Sequence, residues 1–156
     1  MQTFSEWLTT VPDTIAGDPL WRMKVYRLAV FVGDLAWHDV TKLVSDRRTV
    51  RLADQLFRAV GSIGANIAEG YSRRSGKDRV RFYEYALGSA RESRHWYYTG
   101  RHMLPDKVVE HRMGLLVEVC RLLLAIIPED RDRNLAEEQA TYDIGLPALL
   151  DNVPLP

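Results

Sequence analysis

Apolar residues recur along this chain at alternating intervals of three and four, the spacing that places them on one face of an α-helix. The first run holds Trp21, Val25, Leu28, Val32 and Leu35, with Val40 and Leu43 extending it. It predicts a helix opening at Asp18-Pro19, an N-cap acceptor followed by a proline whose missing N–H costs nothing in a first turn. A second run predicts a helix from about Thr49 to Tyr71, with Leu56, Val60, Ile63 and Ile67 on its stripe. Phe57, Gly61, Ala65 and Ala68 lie beside that stripe, so the buried face is expected to be wide. The third helix, from about Lys77 to His102, turns Val80, Tyr83, Leu87 and Ala90 inward, and Ser75 with Asp78 resembles a capping box with the shorter acid. Pro105 breaks that helix, and the fourth carries Val109, Leu116, Val119, Leu123 and Ile126 before Pro128 stops it.

Each predicted helix is roughly 20 to 26 residues, or about 30 to 39 Å at the helical rise, and no strand-like alternation intervenes. Similar lengths and short connections predict an all-α fold, an antiparallel up-down-up-down four-helix bundle over residues 19–128. Residues 1–18 form an N-terminal extension containing Trp7, Leu8 and Val11. Residues 129–156 form an acidic C-terminal tail with apolar Leu146, Leu149, Leu150 and Val153. Such segments dock on the bundle or on a neighbour, or stay mobile.

Composition narrows the class without naming a function. A chain of 156 residues is the length of one domain, and an apolar fraction of 46% with 27% charged residues argues against disorder. The absence of a run of about 18 apolar residues argues against a membrane span, and the amino terminus does not read as a signal peptide. The single cysteine, Cys120, lies among Val119, Leu122 and Leu123 and reads as a buried thiol, so a reducing cytoplasm is the expected compartment.

The formal net charge of zero is a sum of unlike parts. Residues 47–102 hold twelve Lys/Arg against five Asp/Glu, whereas residues 1–46 hold four against six and residues 103–156 five against ten. A basic middle can face an external anion or the acidic segments of its own or a neighbouring chain. Its cations fall in two groups. Arg73, Arg74, Lys77, Arg79 and Arg81 surround the second helix-helix connection, and Arg47, Arg48 and Arg51 stand at the start of the second helix. The helical rise separates the groups by about 35 Å, so they form no single patch within one chain. In a ring each group would repeat around a rim, where phosphates bind with a steep salt dependence. Tyr71, Phe82 and Tyr85 lie near the first group and could stack on bases, although aromatics at helical spacing more often belong to a core.

Two further patterns point to close packing. Gly61, Gly64 and Gly70 in the second helix and Gly88 in the third each cost about 0.5–1 kcal/mol relative to alanine, which suggests that backbones approach closely there. A polar stripe of Gln55, Arg58, Ser62, Asn66, Glu69 and Arg73 crosses the second helix. It reads either as a solvated face or as a subunit interface in which Asn66 and Glu69 meet Arg58 or Arg91, with the interface favoured. Glu92 and His95 have the spacing of a metal-ligand pair in di-iron bundles, but no second such pair exists, so no metal site and no cofactor are expected. No nucleophile with a plausible base is legible, and a catalytic role is not expected.

The strings RAVGSIGANIAEGYSRRS and RFYEYALGSARE also resemble a known family. It is the four-helix-bundle family first noticed as open reading frames within intervening sequences of bacterial large-subunit ribosomal RNA genes, and it includes the accessory variability protein of diversity-generating retroelements. The resemblance rests on Arg58, Ala59, Ser62, Ile63, Asn66, Ile67, Ala68, Glu69, Gly70 and Tyr71, then on Phe82, Gly88, Ser89, Ala90 and Glu92. It implies an antiparallel bundle assembling into a homo-oligomeric ring, commonly a pentamer, without known catalytic activity. For the retroelement members it further implies nucleic-acid binding and a reverse transcriptase partner. Gly64 stands where many relatives carry proline.

The expectation is therefore a cytoplasmic, non-enzymatic ring that binds RNA, DNA or a nucleic-acid-processing protein. Its phosphate contacts are expected from the two basic groups, and its helix pairing or interface from Arg58, Gly61, Ser62, Asn66, Glu69, Gly88, Arg91 and Glu92. The alternative is a purely structural assembly whose basic middle is neutralised by acidic tails.

Overall fold

The computed structural model describes residues 3–127 and 146–156. In chain order the elements are α1 (Phe4–Leu8), α2 (Asp13–Ala16), a 3-10 turn (Pro19–Arg22), α3 (Lys24–Leu43), α4 (Val50–Tyr71), α5 (Gly76–Gly100), α6 (Asp106–Ile126) and α7 (Leu146–Asp151). The four long helices are those the apolar spacing predicts. Consecutive helices pack on one another and α3 closes against α6, which makes a four-helix bundle.

The contacts at the helix ends fix the directions. Gly100, ending α5, lies against Leu43 at the end of α3 and Leu52 at the start of α4. Gly70, near the end of α4, lies against Phe82 and Tyr83 in the first turns of α5. Both relations require antiparallel neighbours. Leu28, Val32, Leu56, Ile63, Ile67, Ala90, Leu116, Val119 and Leu123 are fully buried and share one core.

Several local expectations give way. Asp18 does cap a proline-led turn, its Oδ1 accepting from the Leu20 N–H at 2.8 Å, but that turn is 3-10. Met23 then goes extended, with ψ of 113°, so the long helix begins anew at Lys24. Ser75 accepts from the Asp78 N–H, giving half of a capping box; the shorter aspartate does not complete it. The complete box lies at Thr3 and Glu6, where each side chain accepts from the other's backbone. Ile126 is exposed, because it sits in the last turn of α6, and Phe57, Gly61 and Ala65 face outward, so the buried face of α4 is narrower than predicted.

Both described terminal segments dock on their own bundle. Trp7 is buried against Phe31 of α3, with ring centroids 5.0 Å apart, and its Nε1 donates to Asp34 Oδ2 at 2.6 Å. At the other terminus α7 lies along α6 and contacts α1, and Val153 is buried. Residues 128–145, which hold most of the acidic tail's charge, lie outside the described residues. Among the described residues no helix is long and apolar enough to cross a membrane.

Candidate functional site

The connection from α4 to α5 gathers the first basic group into one surface. Arg73, Arg74, Lys77, Arg79 and Arg81 are all exposed, within or beside a four-residue link. Gly70 is required for this geometry. A Cβ there would stand 2.8 Å from a Tyr83 ring carbon and 3.0 Å from Phe82 Cβ, so α4 and α5 come together only because that atom is missing. Tyr83 turns into the core, and burial raises its phenol pKa. Phe82 and Tyr85 point the other way and meet edge-on at 5.8 Å. The Arg73 guanidinium lies 4.7 Å from the Phe82 centroid, while that of Arg81 lies 5.7 Å from both the Phe82 and Tyr85 centroids. Arg73 also pairs with Glu69 one turn back on α4. Among the described residues Arg74, Lys77, Arg79 and Arg81 make no ion pair.

The second basic group, Arg47, Arg48 and Arg51, is exposed at the opposite end of α4. Arg48 is engaged there by Asp46, donating from Nε and Nη2 to its carboxylate at 2.6 to 3.2 Å. That hydrogen bonding holds the Asp46 carboxyl down at about 2. Asp46 thus offsets part of the charge at this end, leaving the α4–α5 connection as the stronger anion surface.

The expected interface residues divide. Gln55, Arg58, Gly61, Ser62 and Glu92 line one shallow depression, together with Ala59 and Ala65, on the outward side of the α4–α5 pair. A Cβ at Gly61 or Gly88 would meet nothing within 4 Å, so neither glycine is explained by packing within the chain. Glu69 pairs with Arg73, just past the end of α4, and Arg58 with Asp54 one turn back on α4 at 3.9 Å, rather than with each other. Asn66 donates to the Ser62 carbonyl at 2.8 Å. Glu92 accepts from Trp96 Nε1 at 3.1 Å, and Arg91 is half-buried on the same helix. Next to this face, Trp37 is 63% and Phe57 41% exposed, stacked edge-on with centroids 5.9 Å apart.

A buried polar network is the feature that sequence reading misses. Asp39 of α3 accepts from Tyr97 of α5 at 2.8 Å and from Arg112 of α6 at 2.8 and 3.1 Å, with Asp39 and Arg112 both fully buried. Arg112 also donates to the Pro154 carbonyl at 2.9 Å, and through Nη1 to His111 Nδ1 at 2.8 Å. A guanidinium can only donate, so His111 Nδ1 accepts and its proton lies on Nε2, which donates to the Leu149 carbonyl at 2.5 Å. Burial drives the His111 pKa down to about 4, and burial with the Asp39 charge drives the Tyr97 phenol up. Apart from the bond between the adjacent Arg112 and His111, its arms end on α3, α5 and the C-terminal segment, so the network clamps these to α6. The legible signal was a charged residue in register with an apolar stripe: Asp39 follows Leu28, Val32 and Leu35, and Arg112 stands between Val109 and Leu116.

Comparison with known proteins agrees with this architecture. A family model described as 23S rRNA-intervening sequence protein matches residues 22–125. Among solved structures, the fold is similar to that of a protein of unknown function from the S23 ribosomal protein family of Bacteroides thetaiotaomicron VPI-5482. The TM-score is 0.61 at 24% identity, covering 66% of this chain and 97% of that one. No curated protein matches the chain.

Proposed function

The chain belongs to the 23S rRNA-intervening sequence protein family, and on that premise we propose that it is a non-enzymatic, self-associating bundle that holds nucleic acid at its α4–α5 end. The observation that carries this reading is the set Arg73, Arg74, Lys77, Arg79 and Arg81, all exposed at one connection, with only Arg73 held in an ion pair among the described residues. Unpaired cations so close together gain from neutralising phosphates and releasing condensed counterions. Asp78 lies among them and subtracts one charge.

Self-association draws its support from the open positions beside Gly61 and Gly88 and from the exposed Trp37–Phe57 pair. Helix glycines that meet nothing within the chain are a cost without a return unless another surface closes on them. The proposed assembly is the homopentameric ring that the family resemblance implies, in the cytoplasm. A reverse transcriptase of a diversity-generating retroelement is the protein partner the same resemblance implies, and it would meet the ring on shared nucleic acid.

Replacing the five cations with glutamine tests the reading. RNA retained by the protein at low salt should be lost while the assembly keeps its mass; undiminished retention would overturn the role given to these residues. The competing reading, a scaffold whose cations are neutralised by acidic residues 129–156 of adjacent subunits, draws on the same open glycine face. Replacing Glu129, Asp130, Asp132, Glu137, Glu138 and Asp143 with their amides, which keeps the docked segment 146–156 in place, should loosen the assembly only on the scaffold reading.

A further inference from the structure

The aromatic side chains at the basic end are arranged for more than phosphate contact. Three rings follow one another in the first turns of α5, and they take different environments. Tyr83 is buried in the core, Phe82 is half-buried and Tyr85 is 49% exposed. Phe82 and Tyr85 stand edge-on to one another, and the Arg73 and Arg81 guanidiniums lie against them. Arg73, Phe82, Arg81 and Tyr85 therefore make a ladder of alternating cationic and aromatic groups on the surface. At its base, Gly70 lets Tyr83 and Phe82 Cβ pack directly against the α4 backbone.

We infer that this ladder binds unpaired bases, so that the ligand of the basic end is single-stranded nucleic acid rather than duplex. The inference rests on the nucleic-acid reading above and specifies its ligand. An exposed ring beside guanidiniums offers a base a face to stack on while the cations hold its flanking phosphates. In a duplex the base faces are already stacked on one another, which leaves only the phosphate contacts that both forms share. Tyr85 is the stacking platform, because it is the most exposed ring of the ladder and makes no contact that the core needs. Arg81 bridges both rings and orients the platform.

The test is fluorescence anisotropy with the full-length chain and labelled 15-mers: a single-stranded ribo-oligonucleotide, its deoxy counterpart, and a duplex of the same length, all at low salt. Single strands of either sugar should bind about tenfold tighter than duplex. Tyr85→Leu should weaken single-strand binding at least about fivefold, in the range expected for loss of one stacked base. Duplex binding should not change, and Tyr85→Phe should keep the single-strand affinity. Arg81→Gln should weaken both forms through its lost phosphate contact and, by releasing Tyr85, weaken single-strand binding further. Equal affinity for single and double strands, or an unchanged Tyr85→Leu variant, would overturn the stacking inference while leaving the phosphate reading intact. Absence of salt-sensitive binding to any of the three would overturn both.

Discussion

Asp39 of α3 and Arg112 of α6 face each other with no solvent exposure at either side chain, joined by two hydrogen bonds of 2.8 and 3.1 Å. A pair so placed has given up its hydration, and the attraction between its members roughly repays that loss only while both are present. Arg112→Leu should therefore destabilise the fold by about 3–5 kcal/mol, because it leaves the Asp39 charge uncompensated and removes the tie to Pro154. Adding Asp39→Leu and Tyr97→Phe should recover most of that loss, as no charge then remains orphaned. Denaturant titration measures both, and equal stability of the single and triple variants would contradict this account of the pair.

The same network sets an acid limit. His111 binds its proton less readily when folded, with a pKa of about 4 against 6.5 for an ordinary histidine. Between those values the unfolded chain holds more protons than the folded one, so stability is fully present above about pH 6.5 and falls as pH drops toward 4. The shift corresponds to about 3 kcal/mol at most. Glutamine can accept through its carbonyl and donate through its amide, so His111→Gln should keep both bonds and flatten the profile between pH 4 and 6.5 relative to the parent chain. Thermal midpoints across that range provide the check.

Glycines in these helices are expected to behave in opposite ways. Gly70→Ala puts a methyl 2.8 Å from the Tyr83 ring and 3.0 Å from Phe82 Cβ, and should cost about 1–3 kcal/mol of stability. Gly61→Ala and Gly88→Ala place theirs in open space and should each stabilise the isolated chain by about 0.5–1 kcal/mol. If a second copy packs on that face, the last two variants will lower the assembly's mass while raising the stability of its subunit. A gain in stability with unchanged mass would remove this face from the interface.

The bundle was legible because its signal is periodic. Leu56, Val60, Ile63 and Ile67 repeat with the helix, and all four are buried. What periodicity cannot report is which side of a wide apolar face meets the core: Phe57 and Gly61 flank the stripe on α4 and face outward. Polar residues defeated the reading where they are buried. Asp39 and Arg112 occupy inward positions on their helices, but the pairing joins residues 73 apart in sequence, and no local pattern announces such a partner. The basic connection was visible as a run of cations, and the register of Tyr83 with Val80, Leu87 and Ala90 marked it as inward; the half-buried Phe82 and the exposed Tyr85 lie off that stripe, where periodicity does not fix the environment.

The central claim is that copies of this chain assemble and carry nucleic acid on their basic ends. Size exclusion with light scattering, run at low and high salt with absorbance at 260 and 280 nm, tests both halves in one experiment. The account predicts a peak of about five times the 17.9 kDa chain mass. That peak should carry excess absorbance at 260 nm at low salt and lose it at high salt. A monomer-sized peak would contradict the assembly, and an assembled peak that takes up no added single strand at low salt would contradict its binding role.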